Sequence, residues 1–371
     1  MKISQLMRKL FSNVWPAEGS GRVRICRRSA VCLLLPLCLL AAVSCGDGAS
    51  GGKTFSPPEE IEAELVPISE ILRINDIVKL EDYIVLQNSS EGADCFYYVY
   101  SCPGLEYLYS FARHGRGPEE YLMPALIGNT PGNIIGFRDH STDMIAFYEV
   151  SDTAAVLKDS YRMASPDPYR FFWEINMVED SLLLVKHQGD RSGARELWSP
   201  VSGMKDSIGN SFPKLPHRMG KNYYTIFDDY HISASGNRFV FAYSMIDRLE
   251  MGEARDGRIC LAAAVGAEGT PEFHLYGDDT ATEFSIDLNI VTYENVYAGK
   301  DCVYALYSGQ RLNDTEMNHS SLIEVYSWDG EPLRLLSLDV PVASFAVDED
   351  NGVIYAVNPE LHEDKILRFR L

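Results

Sequence analysis

Charged side chains and glycines alternate in the segment FARHGRGPEEYLMP, residues 111–124. Its candidate binding residues are Arg113, His114, Arg116, Glu119 and Glu120. Glycines placed between basic residues are typical of loops that bind phosphate through backbone N–H groups. The pattern G-x-x-x-x-G-K-[ST] is absent, however, and no helix-forming segment follows, so the sequence does not predict a nucleotide site here.

Two roles for this segment remain open. In the first, it is a structural clip between two units of the fold, in which Gly115 and Gly117 supply positive φ and Pro118 fixes the chain direction. The clip is closed by Arg113 or Arg116, which binds neighbouring carbonyl groups or one of the two glutamates. In the second role, Arg116 and the glutamates face a ligand or a partner. The residue types favour the clip.

Other polar groups show no spacing that would define a catalytic site. The run Asp228–His231 (DDYH) could serve acid–base or calcium chemistry, or form a plain acidic loop. The segment HRMGKNYY, residues 217–224, suits sugar or peptide contact and equally a surface loop. The remaining histidines are scattered, and no H-E-x-x-H, C-x-x-C or G-x-S-x-G pattern occurs. The sequence therefore predicts no catalytic residue, no metal site and no cofactor.

The elements that must position these groups are short strands that recur along the chain. Six times, a turn-prone pair of residues precedes a short, apolar, aromatic-rich strand, at intervals of roughly 48 to 64 residues. These strands begin near Tyr83, Ile134, Leu182, Phe239, Val303 and Ile354. A second strand follows most of them, and turns such as Trp328-Asp329-Gly330 lead to outer strands. No segment shows helical periodicity over more than a turn or two.

Groups of four strands, with about 50 residues in each group, predict an all-β fold: a six-bladed β-propeller with four-stranded antiparallel blades. A pair of large β-sandwiches is the alternative, but it would not explain the recurrence. The last unit, which ends in KILRFRL, is one strand short. We expect the strand-like segment Ala63–Leu72 to complete it, which leaves no open edge between the first and last blades.

The first 45 residues have the character of a lipoprotein signal peptide. Four arginines precede an apolar run at residues 30–43, which is too short to span a bilayer and is typical of a signal core. Small residues then lead to Cys45, the predicted lipidation site; an A-x-A-like cleavage site with an incidental cysteine is the alternative. Residues 46–60 are rich in Gly, Ser and Pro, which predicts a flexible tether to a propeller domain at residues 61–371.

The charge of the chain limits its partners. The chain carries 33 Lys and Arg residues against 53 Asp and Glu residues, and the predicted signal peptide removes mainly basic ones. Such an acidic body argues against nucleic acid or an anionic membrane surface as a partner, although acidity can serve solubility alone. The predicted membrane contact is therefore the lipid anchor only, since several acyl chains anchor stably. We expect a monomer.

Four cysteines follow residue 45, namely Cys95, Cys102, Cys260 and Cys302. Cys95 and Cys102 bracket the strand-like run FYYVYS, which separates them by about 23 Å and, at this odd spacing, directs them to opposite faces. That distance is far beyond the reach of a disulfide. We therefore predict that these two thiols do not bond to each other, and the state of the other two is left open.

Three features together resemble one known family. They are the lipobox at Cys45, the GRGPEEY segment after the first unit, and the ending EVYSWDGEPL…ASFAVDEDNGVIYAV. Over residues 61–371 the chain is similar to the TolB-like six-bladed propeller lipoproteins of Bacteroides-type bacteria. The resemblance implies the propeller fold and a place in the cell envelope of a Gram-negative bacterium. It implies no particular activity.

The predicted function is that of a lipid-anchored, non-catalytic module that binds an envelope protein or a glycan. We place it on the periplasmic side of the outer membrane, because the acidic run that often accompanies surface export is not evident after Cys45. The alternative is a propeller hydrolase or lyase with a metal at the central channel. An enzyme would gather several ionisable residues at one end of that channel, whereas a binding module would line it with aromatic and ordinary polar groups.

Overall fold

The structure, a computed structural model, describes residues 53–371 with internal gaps. The gaps are residues 72, 89, 91, 164–170, 180, 189–194, 210–229, 268–274, 277–282, 285–289 and 312–318. The predicted signal peptide with Cys45, the first part of the tether, residues 217–224 and the pair Asp228-Asp229 lie outside the described residues. Among the residues that are described, no helix has the length and apolar character needed to cross a membrane.

The described residues form 28 β-strands and no helix, and most strands belong to six four-stranded blades. The strands before the first blade are β1 (Glu59–Ile61) and β2 (Ala63–Pro67). Blade 1 contains β3 (Ile74–Lys79), β4 (Tyr83–Asn88), β5 (Cys95–Ser101) and β6 (Tyr107–His114), and the short β7 (Glu120–Tyr121) follows it. Blade 2 contains β8 (Pro124–Gly128), β9 (Ile134–Asp139), β10 (Met144–Val150) and β11 (Ala155–Arg162).

The other four blades follow in chain order. Blade 3 contains β12 (Phe171–Val178), β13 (Leu182–Gln188), β14 (Arg195–Ser199) and β15 (Gly203–Ile208). Blade 4 contains β16 (Tyr230–Ser235), β17 (Arg238–Tyr243), β18 (Arg248–Arg255) and β19 (Arg258–Gly266), and a small hairpin of β20 (Leu275–Tyr276) and β21 (Glu283–Phe284) follows it. Blade 5 contains β22 (Ile290–Ala298), β23 (Cys302–Arg311), β24 (Ser320–Ser327) and β25 (Pro332–Val342). Blade 6 contains β26 (Ser344–Asp348), β27 (Val353–Val357), β28 (Lys365–Arg370) and β2.

The prediction of six four-stranded blades is confirmed in the described part of the chain. The six recurrent sequence signals are the second strands of the blades: β4, β9, β13, β17, β23 and β27. In β4, the consecutive residues Ile84, Val85 and Leu86 are all fully buried. A strand with neighbouring blades on both faces is apolar along its whole length rather than at alternate positions. This is why these strands stand out in the sequence.

The two ends of the propeller domain meet in blade 6. β2 pairs antiparallel with β28, from Ala63 opposite Phe369 to Pro67 opposite Lys365. The blade therefore takes three strands from the end of the chain and one from its beginning, which confirms the predicted closure of the ring. The closing strand ends at Pro67, earlier than predicted, because the next residues turn inward and Ile71 packs between blades 6 and 1.

The hydrophobic core is divided into six clusters, one between each pair of neighbouring blades. Between blades 1 and 2, the Phe137 ring lies 5.1 Å from Tyr97 and 4.7 Å from Tyr121, measured between ring centroids. Blades 2 and 3 also share a backbone ladder, because β8 and β12 pair in parallel. Because the apolar surfaces are buried between blades, the side chains that face the centre of the ring can be polar without loss of the core.

Residues 53–61 lie against blade 5. β1 pairs in parallel with β25, with Glu59 opposite Leu336. Arg334 donates two hydrogen bonds to the Glu59 carboxylate, at 2.9 and 2.7 Å. The added strand covers the outer edge of blade 5, whose N–H and C=O groups would otherwise be unpaired. Two residues of the predicted tether, Glu59 and Glu60, therefore lie in a paired strand.

All four described cysteines are free thiols. Cys95 begins β5 and Cys102 follows its last residue, so the strand holds the two thiols apart and unbonded, as predicted. Both side chains lie against the cluster between blades 6 and 1, however, so the prediction that they face opposite sides is wrong. The regular alternation is interrupted between Cys95 and Tyr98, because Phe96 and Tyr97 both pack in the cluster between blades 1 and 2. Ala112 on the paired strand has a φ of 57°.

Candidate functional site

A central channel runs along the axis of the ring. It encloses a cavity of about 1170 Å³, lined by residues of the inner strands of all six blades, β3, β8, β12, β16, β22 and β26. We call the face where these inner strands begin the upper face and the face where they end the lower face. The connections between blades, and those from the second to the third strand of each blade, lie on the upper face.

Polar side chains on the inner strands bind the neighbouring blade. Asn176 Nδ2 donates a hydrogen bond to Ile232 O at 3.1 Å, which joins blade 3 to blade 4. Ser344 donates a hydrogen bond to the Asp76 carboxylate, which joins blade 6 to blade 1. Asn295 Nδ2 donates to a carbonyl at the start of blade 6 at 3.3 Å. The polar groups of the channel wall therefore hold the blades in register around the axis.

The Glu174 carboxylate on β12 is held by three neighbours. It accepts a hydrogen bond from Ile232 N at 2.6 Å and is hydrogen-bonded to His231 Nδ1 at 3.2 Å, and Lys186 Nζ lies 3.6 Å away. Burial alone would raise the pKa of Glu174, but His231, Lys186 and these hydrogen bonds together hold it below its ordinary value. Glu174 is therefore a fixed negative charge in the channel wall at neutral pH.

Asp76 on β3 behaves in the opposite way. Its carboxylate accepts hydrogen bonds from Ile77 N at 2.8 Å and from the Ser344 hydroxyl. Burial raises the pKa of Asp76, and the charge of Glu174 adds to the shift, while the two hydrogen bonds oppose it. Two carboxylates in one channel whose pKa values move in opposite directions could divide the roles of proton donor and proton acceptor.

Acidic side chains outnumber lysines in the wall of the cavity. The acidic residues are Asp76, Glu81, Glu174, Asp348, Glu349 and Asp350, and the lysines are Lys79 and Lys300. Such a wall disfavours phosphates and other anions. Within the described part of the chain, no three His, Cys, Asp or Glu side chains come together in a way that could hold a metal ion.

The segment at residues 111–124 crosses from blade 1 to blade 2 on the upper face. β6 ends at His114, β7 pairs with it in parallel, and β8 begins at Pro124. His114 stacks on Phe96 with 5.3 Å between ring centroids, and Phe96 lines the mouth of the cavity. Of the five candidate binding residues, all within the described range, only His114 contacts a residue of the cavity wall; the other four lie at the outer edge of blade 1, on β6, β7 and the loop between them.

Glu120 closes this loop. Its Oε2 accepts a hydrogen bond from Gly117 N at 2.6 Å, and Glu120 N donates to Gly117 O at 3.2 Å. A Cβ atom on Gly115 would collide with the Glu120 carboxylate, so close approach explains the glycine at that position. Positive φ occurs at Gly115 and at Glu119, which has a φ of 58°, so the prediction of positive φ at Gly117 is wrong.

The two arginines of the segment play no part in this closure. Arg113, Arg116 and Glu119 are exposed, and none of the three has a side-chain hydrogen bond or ion pair with another residue of the described chain. The interpretation that an arginine pairs with a glutamate of the loop is therefore wrong. The structure assigns the clip to Glu120 and leaves the arginines and Glu119 facing solvent.

Glu120→Ala is expected to lower the free energy of unfolding by about 1–2 kcal/mol, because the charge-assisted hydrogen bond from Gly117 N is lost. Arg116→Ala, in the same loop, is expected to change it by less than about 0.5 kcal/mol. Urea unfolding of both variants and the parent chain measures the two differences. An Arg116→Ala loss as large as that of Glu120→Ala would show that the arginine closes the clip after all.

Sequence reasoning missed Asp76 and Glu174. Each is an isolated acid inside a strand that is otherwise rich in apolar residues, INDIVK for β3 and FFWEINMV for β12. A charge in a buried strand needs a partner, so this interruption is a signal that could have been used. His231, predicted within a polar cluster, is the partner of Glu174, while Tyr230 beside it packs in the core between blades 3 and 4.

Comparison with known proteins supports the same architecture. A family model described as TolB-like 6-blade propeller-like matches residues 71–350. The chain belongs to this family. No curated protein matches the sequence.

This TolB-like propeller is similar to solved structures from Bacteroides species. A DUF4221-family member from Bacteroides vulgatus matches with a TM-score of 0.54 and 11% identity, covering 84% of this chain and 97% of that one. A Bacteroides fragilis protein described as exported matches with a TM-score of 0.48 and 12% identity, covering 83% of this chain and 94% of that one. At these identities the similarity concerns the fold alone.

Proposed function

We propose that this TolB-like propeller is a non-catalytic binding module of the Gram-negative cell envelope, and that a protein partner binds its upper face. A lipid at Cys45 anchors it to the outer membrane on the periplasmic side. The basic, apolar and small residues that lead to Cys45 support the anchor. The acidic channel wall and the acidic composition make nucleic acid an unfavourable partner.

One observation carries the proposal: the upper face combines exposed apolar groups with charged groups that have no partner among the described residues. Met123 lines the mouth and is 59% exposed. The stacked rings of Phe96 and His114 lie at the same mouth. Arg113 and Arg116 lie at the outer edge of blade 1 on the same face, and neither has a side-chain partner among the described residues. Methionine, aromatic rings and arginine are the residues enriched in protein interfaces. This composition favours a protein partner over a glycan, which is the other partner class that the sequence suggested.

Reversing the charge of the two arginines tests this proposal. The double variant Arg113→Glu/Arg116→Glu is expected to capture at least about tenfold less of the partner than the parent chain, when both are isolated from native membranes and bound proteins are quantified by mass spectrometry. Arg258→Glu is the matched control, since Arg258 is exposed at the turn between β18 and β19 on the lower face. Equal capture by all three chains, or equal loss in both variants, would contradict the proposal.

A second candidate function is hydrolysis or elimination in the channel, which the opposite pKa shifts of Asp76 and Glu174 favour. Turnover of lactones, glycosides or polyuronates by the parent chain, with and without added divalent metal, would support it if Glu174→Gln abolished that turnover. Turnover that survives in Glu174→Gln would exclude Glu174 from the chemistry. The binding module is preferred because the polar groups of the channel wall are already bonded to neighbouring blades.

A further inference from the structure

A cage of aromatic and acidic side chains lies between blades 4 and 5, away from the central channel. It is formed by Asp247 before β18, Tyr293 on β22, Tyr307 on β23, and Glu324 and Tyr326 on β24. The side chain of Lys53 enters this cage and is only 12% exposed. Asp247 lies in the turn from the second to the third strand of blade 4, so the cage opens on the upper face.

The cage surrounds the Lys53 ammonium with hydrogen-bond acceptors, carboxylates and an aromatic ring. Lys53 Nζ donates hydrogen bonds to Tyr293 OH at 2.6 Å and to Glu324 Oε2 at 3.1 Å, and it forms an ion pair with Asp247. Nζ also lies 4.9 Å from the ring centroid of Tyr293 and 5.2 Å from that of Tyr307. An ammonium has three donors, which the two carboxylates and the Tyr293 hydroxyl accept, and it is attracted to aromatic rings such as that of Tyr307.

The acceptors are held in place by one another. Tyr293 OH and Tyr326 OH each donate a hydrogen bond to Glu324 Oε2 at 2.8 Å. Burial raises the pKa of both tyrosine hydroxyls, and the nearby Glu324 carboxylate adds to the shift, so both hydroxyls remain donors. Glu324 is itself buried, and among the described residues Lys53 supplies the cation that neutralises it. A buried carboxylate without a cation is strongly disfavoured.

We propose that this cage is a binding site for a primary ammonium group, and that Lys53 fills it to hold the N-terminal segment against blades 4 and 5. The adjacent Phe55 ring packs edge-on against Tyr326, with 5.3 Å between centroids, and β1 follows along blade 5. Cys45 precedes Lys53 by eight residues, which span at most about 28 Å. If Cys45 carries the lipid, as the proposed function has it, the anchor therefore leaves the body near this cage.

Chemical rescue tests the site without reference to the lipid. In the full chain carrying Cys45→Ala, Lys53→Ala is expected to lower the melting temperature by about 2 °C or more. Millimolar n-propylammonium chloride, which restores the missing atoms, is expected to recover at least half of that loss. Neither n-propanol nor potassium chloride at the same concentration is expected to do so. Failure of the lipid anchor leaves this result unchanged, because the background chain has no cysteine at position 45.

Two further variants make the test specific. Lys53→Met keeps the length and apolar contacts of the stem but removes the charge, so it is expected to melt as low as Lys53→Ala and to show no rescue. Lys158→Ala removes an exposed lysine that forms a 2.7 Å ion pair with Glu149. We expect this control to lower the melting temperature by less than about 1 °C and to show no rescue by propylammonium. The proposal is overturned if Lys53→Met melts like the parent chain, if Lys53→Ala causes no loss, or if propanol rescues as well as propylammonium.

Discussion

Arg195→Ala is expected to lower the free energy of unfolding by about 3–5 kcal/mol, because it breaks a buried ion pair between two blades. Arg195 on β14 is 0% exposed, and its Nη2 lies 2.5 Å from Glu250 Oε2 on β18. The guanidinium carbon also lies 4.7 Å from the ring centroid of Phe241. Arg195→Ala therefore removes one charged partner of the buried Glu250 carboxylate, while the ion pair of Glu250 with Arg248 remains.

Two comparisons make the Arg195 result interpretable. Arg334→Ala removes an exposed arginine–glutamate pair, with Glu59, and is expected to cost less than about 1 kcal/mol. The double variant Arg195→Met/Glu250→Leu is expected to be more stable than Arg195→Ala, because it removes both members of the pair. Urea unfolding of the four chains gives these differences. A loss below about 1 kcal/mol for Arg195→Ala would show that the pair does not hold blades 3 and 4 together.

Cys45→Ala is expected to move nearly all of the chain from the membrane fraction to the soluble fraction. A lipidated cysteine carries several acyl chains, which anchor stably, and Cys45→Ala removes the residue proposed to carry them. Fractionation of the native cells followed by immunoblotting measures the distribution. Intact-mass analysis of the parent chain is expected to show a mature protein that begins at Cys45 and carries acyl groups.

Cys38→Ala is the matched control for the lipid anchor, because Cys38 lies in the apolar run of the same predicted signal peptide. This variant is expected to remain in the membrane fraction. If Cys45→Ala remains fully membrane-bound, or if the mature chain begins at another residue, the lipid anchor is wrong and only the binding face of the proposed function remains.

The fold could be predicted from the sequence because the second strand of each blade is apolar along its length. Ile84, Val85 and Leu86 in β4 are buried between blade 1 and its neighbours on both faces, and the equivalent strands repeat this pattern. The closing strand was also predictable, since the last blade lacked one strand and a strand-like segment preceded the first blade. Both signals are local in sequence and depend little on side-chain geometry.

The sites were harder to predict because their partners are far apart in the chain. Lys53 lies 240 residues before Tyr293 and 271 before Glu324, and it falls in a segment whose Gly, Ser and Pro content indicates flexibility. Only the closed ring brings these residues together. In the Gly-Arg-Gly-Pro loop, composition favoured arginines as the closing residues, but the fold places the carboxylate of Glu120 beside the glycine backbone. The composition of a loop does not determine which of several neighbouring charged side chains packs against the loop backbone.

Site-specific photo-crosslinking tests the central claim, that a protein partner binds the upper face, most directly. Met123 at the channel mouth and Val201 in the turn between β14 and β15 on the lower face are similarly exposed, at 59% and 57%. With a photoreactive phenylalanine at position 123, irradiation of native cells is expected to give one discrete protein adduct, which Arg113→Glu/Arg116→Glu abolishes. At position 201 no adduct is expected. An adduct at position 201 with none at position 123, or equal adducts at both, would contradict binding at the upper face.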